Sequence, residues 1–116
     1  MQDRVPESAE VARTEIVGAI ASIARFSGEA EGVAGANAAP FGVARYVFSE
    51  NIDRAFDVAD RLDTGMVGIN QGIVSNVAAP FGGTKASGLG REGSSEGLEE
   101  YQEIRFYNLA RRSAGS

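Results

Sequence analysis

The stretch GLGREG at residues 88–93 has the G-x-G-x-x-G spacing that, in nucleotide-binding folds, lets backbone N–H groups approach a pyrophosphate. That chemistry also needs a buried strand running into the first glycine, a helix opening at the last, and an acidic residue about 20 positions on to hold a ribose. Here the preceding PFGGTKAS contains Pro80, two adjacent glycines and Lys85, and does not read as an apolar central strand. Where the ribose acid is due stands Asn108. The pattern therefore predicts no phosphate cradle, and the glycines need another role.

Two absences narrow the remaining chemistry. The 116 residues include no cysteine and no histidine. That excludes a disulfide framework, a thiolate nucleophile, a thiolate or imidazole metal site, and an imidazole base. Carboxylates, lysine, tyrosine and hydroxyls are what is left. A formal charge of −5 argues against a sequence-independent grip on nucleic acid or an anionic membrane. The longest apolar run, IVGAIASIA at 16–24, is too short to span a bilayer, and the acidic start MQDRVPESAE is unlike a secretory signal. Those two features together predict a cytoplasmic-type chain, and length with a hydrophobic content of 43% predicts one globular domain, large enough to bury its own core.

The elements that must position any site are clearest in the middle. ARYVF at 44–48 is a short β-rich run. NIDRAFDVADRLDTG follows, with Ile52, Ala55, Phe56, Ala59 and Leu62 at helical spacing, Asn51 or Ser49 as N-cap, and Gly65 where a left-handed C-terminal cap is wanted. MVGIN at 66–70 then reads as a second strand, giving a βαβ crossover with parallel strands. Upstream, 16–26 reads as a strand bent at Gly18, and GEAEGVAGANAA as a helix weakened by Gly32 and Gly35. Downstream, a short helix is expected around 94–101 and a last strand over QEIRFYNLA, with Ile104, Phe106 and Asn108 on one face and Arg105, Tyr107 and Leu109 on the other.

The run from Gly65 to Tyr107 closely resembles the C-terminal end of NAD(P)-dependent aldehyde dehydrogenases, and within them the bacterial succinate-semialdehyde dehydrogenases. PFGG-x-K-x-SG-x-G-RE-G, here PFGGTKASGLGREG, is far more specific to that superfamily than the glycine spacing inside it. The resemblance extends back through ARYVFSENIDRAFDVADRLDTG to TEIVGA at 14–19, which is similar to the family's E-E-I-F-G-P. It implies an α/β fold: a partial catalytic domain over 1–100 with a βαβ unit and parallel strands, a C-terminal oligomerisation strand over 101–110, and a tail at 111–116.

The same resemblance implies a reaction and some of its residues. In the family a cysteine thiolate attacks the aldehyde, hydride passes to nicotinamide, and a glutamate base activates water; both residues and the Rossmann domain precede the part that this chain resembles. No catalytic residue and no metal ligand is therefore assigned here, and the chain alone is expected to be inactive and to hold neither NAD nor NADP. Glu15 matches the glutamate that hydrogen-bonds the nicotinamide ribose, although Val17 and Ala19 depart from the family's Phe and Pro. Ser75 matches a serine that helps to hold the substrate's remote carboxylate, and Phe81 an aromatic bordering the substrate tunnel. Without the resemblance, Glu15 reads as a solvated acid, Ser75 beside Asn76 as a turn residue and Phe81 as core. The glycines of 82–93 are expected to permit close backbone packing, with Arg91 and Glu103 as an ion pair. A homo-oligomer through the last strand is the implied partner; a truncated enzyme, an interaction module, and a weak NAD(P) or dicarboxylate binder are the three functional readings.

Overall fold

The computed structural model describes residues 2–6 and 8–110; the expected tail lies outside them. In chain order the elements are β1 (Gln2–Asp3), a 3₁₀ turn (Glu10–Ala12), β2 (Ser22–Ile23), α1 (Glu29–Asn37), β3 (Phe41–Gly42), β4 (Ala44–Val47), α2 (Ile52–Asp60), β5 (Met66–Ile69), β6 (Phe81–Gly82), β7 (Thr84–Lys85), β8 (Arg91–Glu92) and α3 (Ser94–Glu99). The strands pair two by two. β1 runs parallel to β2 and β4 to β5, while β3–β7 and β6–β8 are antiparallel.

The centre is β4, α2 and β5. The two strands are in register from Ala44↔Met66 to Val47↔Ile69, and α2 packs on both. Of the two candidate caps Asn51 serves, its side chain accepting from Arg54 N–H at 3.0 Å, while Ser49 Oγ accepts from Asn51 N–H. The helical face divides in two. Ala55 is fully buried against the strands and Leu62 is half-buried, but Ile52 and Phe56 remain exposed.

Gly65 does not cap the helix in a left-handed conformation. α2 ends at Asp60 with its cap residue, Arg61, in right-handed geometry, and Gly65 is not among the residues with positive φ. Its lack of a side chain serves a close approach instead. A Cβ there would overlap the Gly82 carbonyl oxygen and lie 2.8 Å from Gly83 Cα, while the Gly65 N–H donates to Gly42 O at 3.0 Å.

The weak-looking helix forms as α1 because its ends are tied. Glu31 accepts from both the N–H and the hydroxyl of Ser27 at the start, and Asn37 at the end bonds across to the α2–β5 turn. The expected strand at 16–26 shrinks to Ser22–Ile23. Its only ladder partner among the described residues is the two-residue β1, and Val17 is 97% exposed. Over 102–110 no ladder forms among the described residues, and Ile104 is 100% exposed.

The self-contained core expected from length and composition is also absent. Ala55 is the one fully buried hydrophobic residue among those described, and the chain exposes 9482 Å². A compact monomer of this mass exposes about 6,000 Å². The radius of gyration, 21.2 Å, likewise exceeds the roughly 13 Å of a compact 100-residue domain. Ile16 and Ile20 are exposed, whereas Val47 and Ile69, which pair with each other, are half-buried. The apolar faces are built, but the second layer that would cover them is not supplied by these residues.

Candidate functional site

The three residues singled out by sequence do not meet in one cleft. Glu15 stands exposed beyond the 3₁₀ turn, and Ser75 is exposed in the segment after β5. Neither lines any of the three cavities described below. Asn76 makes the turn beside Ser75, its side chain accepting from Ala78 N–H at 2.9 Å and its carbonyl from Ala79 N–H at 3.0 Å. Phe81 opens β6, opposite Glu92 of β8, and with Val43, Ser87, Arg91 and Glu100 borders a cavity of about 370 Å³.

That cavity lies in the glycine-rich loop. The Arg91 guanidinium donates to the carbonyls of Gly83 (2.8 Å), Leu89 (2.7 Å) and Gly90 (3.0 Å), which closes the loop on itself. Glu100, rather than the expected Glu103, is the acid that reaches it, accepting from Arg91 N–H at 3.2 Å. The chain turns into α3 through Gly93 at φ 68 and Ser94 at φ 57. A phosphate placed in this loop would face the Glu100 carboxylate, so the loop does not fit a pyrophosphate. The described residues bring no second group that the resemblance assigns to the ribose beside Glu15, which is exposed. Nor do they contain a group of three or more acidic side chains able to hold a metal ion.

A second groove, about 550 Å³, opens between α1, α2 and β4, lined by Phe26, Val33, Tyr46, Phe48, Val58 and Leu62. A third, of about 570 Å³, lies beside Arg13, Ser22 and the end of α1. Charged groups rim the second. Glu29 of α1 accepts from Arg54 Nε at 2.7 Å and is also bonded by Arg61, two turns further along α2, and Arg61 in turn holds Asp57 at 2.8 Å. The Arg54 hydrogen bond, followed by that of Arg61, holds the Glu29 carboxyl below its ordinary value. Glu31 is lowered by Ser27 N–H and Glu96 by the Ser94 hydroxyl.

A carboxyl whose folded-state value is depressed contributes stability above the unfolded value, about 4.3 for glutamate, and that contribution is lost as pH falls through the lower folded value. The expected result is that Glu29→Gln melts below the wild-type chain at neutral pH. The two curves should converge as acid titrates the tie. Thermal melts across this range check it, and because the partners are exposed the difference should shrink with added salt. Melts that diverge on acidification would contradict the assignment.

Two residues near these sites were given no role by the sequence. Asn70, at φ 53, follows β5 and clasps the end of β4: Ser49 N–H donates to its Oδ1 at 2.8 Å, and its Nδ2 donates to Ser49 O at 2.9 Å. Lys85, in β7, holds carbonyls at the end of α1. An asparagine directly after a strand, a residue type that tolerates left-handed backbone, was the available hint for the first.

Fold and sequence together define a class. The chain matches the aldehyde dehydrogenase family over residues 1–107 and belongs to it. Its relatives include the glutarate-semialdehyde dehydrogenase of Pseudomonas putida, 52% identical over 102 residues that make up 88% of this chain and 21% of that protein. The NADP-dependent succinate-semialdehyde dehydrogenase of Escherichia coli K12 is 50% identical over 88% of this chain and 21% of its own length. A 3-sulfolactaldehyde dehydrogenase of Pseudomonas putida is 49% identical over 86% and 21%. Among solved structures, an NADP-dependent enzyme of E. coli superposes with a TM-score of 0.83 at 50% identity, over 87% of this chain and 21% of that one. The NAD+ complex of an aldehyde dehydrogenase from Bacillus cereus gives 0.84 at 37% identity, over the same shares. The chain thus spans about a fifth of the length of these relatives.

Proposed function

We propose that this chain supplies the C-terminal part of the catalytic domain of an NAD(P)-dependent dehydrogenase that oxidises a short aldehyde carrying an acid group at its far end. The support is chemical. Three relatives are named for glutarate semialdehyde, succinate semialdehyde and 3-sulfolactaldehyde, which share an aldehyde and a remote anion. In this reading Ser75 donates its hydroxyl to that anion, Phe81 walls the substrate path, and Glu15 accepts from the nicotinamide ribose. Residues 1–100 belong to the catalytic domain, and the location is cytoplasmic. Among the described residues no helix is long and apolar enough to cross a membrane.

The observation that carries the reading is the absence of cysteine from a chain of this family. Oxidation through a thiohemiacetal needs a thiolate, so the chain alone forms no covalent intermediate and does not turn over. Purified chain incubated with succinate semialdehyde and NAD+ or NADP+ is expected to give no cofactor reduction. Sustained reduction that scales with the concentration of this chain would overturn it.

A second reading, a non-catalytic module that assembles through its C-terminal strand, rests on 101–110. Ile104, Phe106, Tyr107 and Leu109 are all exposed there, and an unpaired extended segment with apolar side chains pairs readily with a second edge. Light scattering on the same preparation is expected to show a homo-oligomer. A persistent monomer removes this reading.

A further inference from the structure

Of the chain's 11 basic residues only one, Lys85, is a lysine. Its Nζ lies 2.8 Å from the carbonyl oxygen of Asn37, 3.2 Å from that of Ala39 and 3.0 Å from Asp63 Oδ2. An ammonium has three N–H donors, and here three acceptors surround it. Asn37 and Ala39 stand at the C-terminal end of α1, where unpaired carbonyls and the helix dipole favour a cation. Asp63 belongs to the turn between α2 and β5. The Lys85 side chain is 21% exposed. Asn37 closes the node from the other side, its Nδ2 donating to Arg61 O at 2.8 Å and its Oδ1 accepting from Asp63 N–H at 2.9 Å. The backbone at Lys85 is held at φ 56 by pairing with Phe41.

We propose that Lys85 is a closed ammonium. It is a positioning residue that fixes the glycine-rich loop to α1 and to the α2–β5 turn, and its amine is withheld from carbonyl compounds. Imine formation requires the neutral amine: the nitrogen lone pair adds to the carbonyl carbon, protons pass to the oxygen, and water leaves as C=N replaces C=O. Nζ can enter that sequence only after leaving three oxygens and giving up a proton. The other ten basic side chains are arginines. The chain therefore offers reactive aldehydes no side-chain amine while its fold is intact.

The test uses the full folded chain, succinate semialdehyde and cyanoborohydride, which traps an imine as a secondary amine. Peptide mass spectrometry then reads adducts at the Met1 amine and at Lys85 separately. Met1 is expected to react, and Lys85 to react at least about tenfold more slowly than in the urea-unfolded chain, the scale set by hydrogen bonds to a charged group. Asp63→Asn, which removes the charged acceptor, is expected to raise trapping at Lys85 several-fold. Equal rates at Lys85 in folded and unfolded chain overturn the proposal, as does an Asp63→Asn variant with a wild-type circular dichroism spectrum and an unchanged rate. If that variant does not fold, a urea series on the wild-type chain decides. Trapping that rises with the unfolded fraction supports the clasp, and trapping already maximal without urea overturns it. The readout needs no turnover, so it succeeds or fails independently of the catalytic reading.

Discussion

Gly65→Ala is expected to destabilise the chain by about 2–3 kcal/mol, because the added methyl has nowhere to go. It would fall on the Gly82 carbonyl oxygen and lie 2.8 Å from both the Gly82 carbonyl carbon and Gly83 Cα. All of these are backbone atoms, so no rotamer change relieves the overlap. Either β5 moves away from Gly42, losing the 3.0 Å bond from Gly65 N–H, or β6 moves and carries Phe81 with it. In a domain of roughly this size each kcal/mol shifts the melting temperature by about 4–8 °C, so a drop of about 10 °C or more is expected by circular dichroism. Gly18→Ala is the control, since nothing lies within 4 Å of its Cβ position and its φ is not positive. Coincident melts of the two variants would show that the β5–β6 approach is not formed in solution.

Asn70→Ala should come next in size, at about 2–3 kcal/mol, since it removes two effects at once. Both hydrogen bonds of the Ser49 clasp disappear, at about 1 kcal/mol each. Alanine must also occupy φ 53, a left-handed position that costs an L-residue about 1 kcal/mol and that asparagine tolerates better. Asn70→Gly separates the two, because glycine relieves the backbone cost but cannot make the clasp. Denaturant titration should therefore rank the wild-type chain above Asn70→Gly and Asn70→Gly above Asn70→Ala. An Asn70→Ala variant as stable as the wild-type chain would mean that the ends of β4 and β5 are not joined through this side chain.

Local pattern made the middle of the chain readable. Over 44–69 the apolar spacing changes from strand to helix to strand within a few residues, and Asn51 marks the helix start, so β4, α2 and β5 lie where that spacing puts them. The same reasoning failed where an element depends on a partner. Residues 16–26 are apolar enough for a strand, but a strand exists only as part of a ladder, and among the described residues two of β1 are all that it meets. Gly65 looked like a helix cap because the helical spacing runs to Leu62; α2 in fact stops at Asp60, and the glycine answers to Gly82, 17 positions away. Arg91 turned to carbonyls of its own loop instead of Glu103, a choice made by three-dimensional closeness that no spacing encodes. The site assignments rest on family resemblance alone: periodicity gives no reason to choose Glu15 or Ser75, and the structure sets Phe81 alone of the three beside a cavity.

The near-absence of buried apolar side chains among the described residues also governs how the chain responds to denaturant. Sensitivity to urea and the heat capacity of unfolding both scale with the surface newly wetted, and a chain that already exposes 9482 Å² has little more to wet. Its m-value should be low for 116 residues and its transition broad. An association that covers Phe26, Phe48 and Phe56 would steepen both.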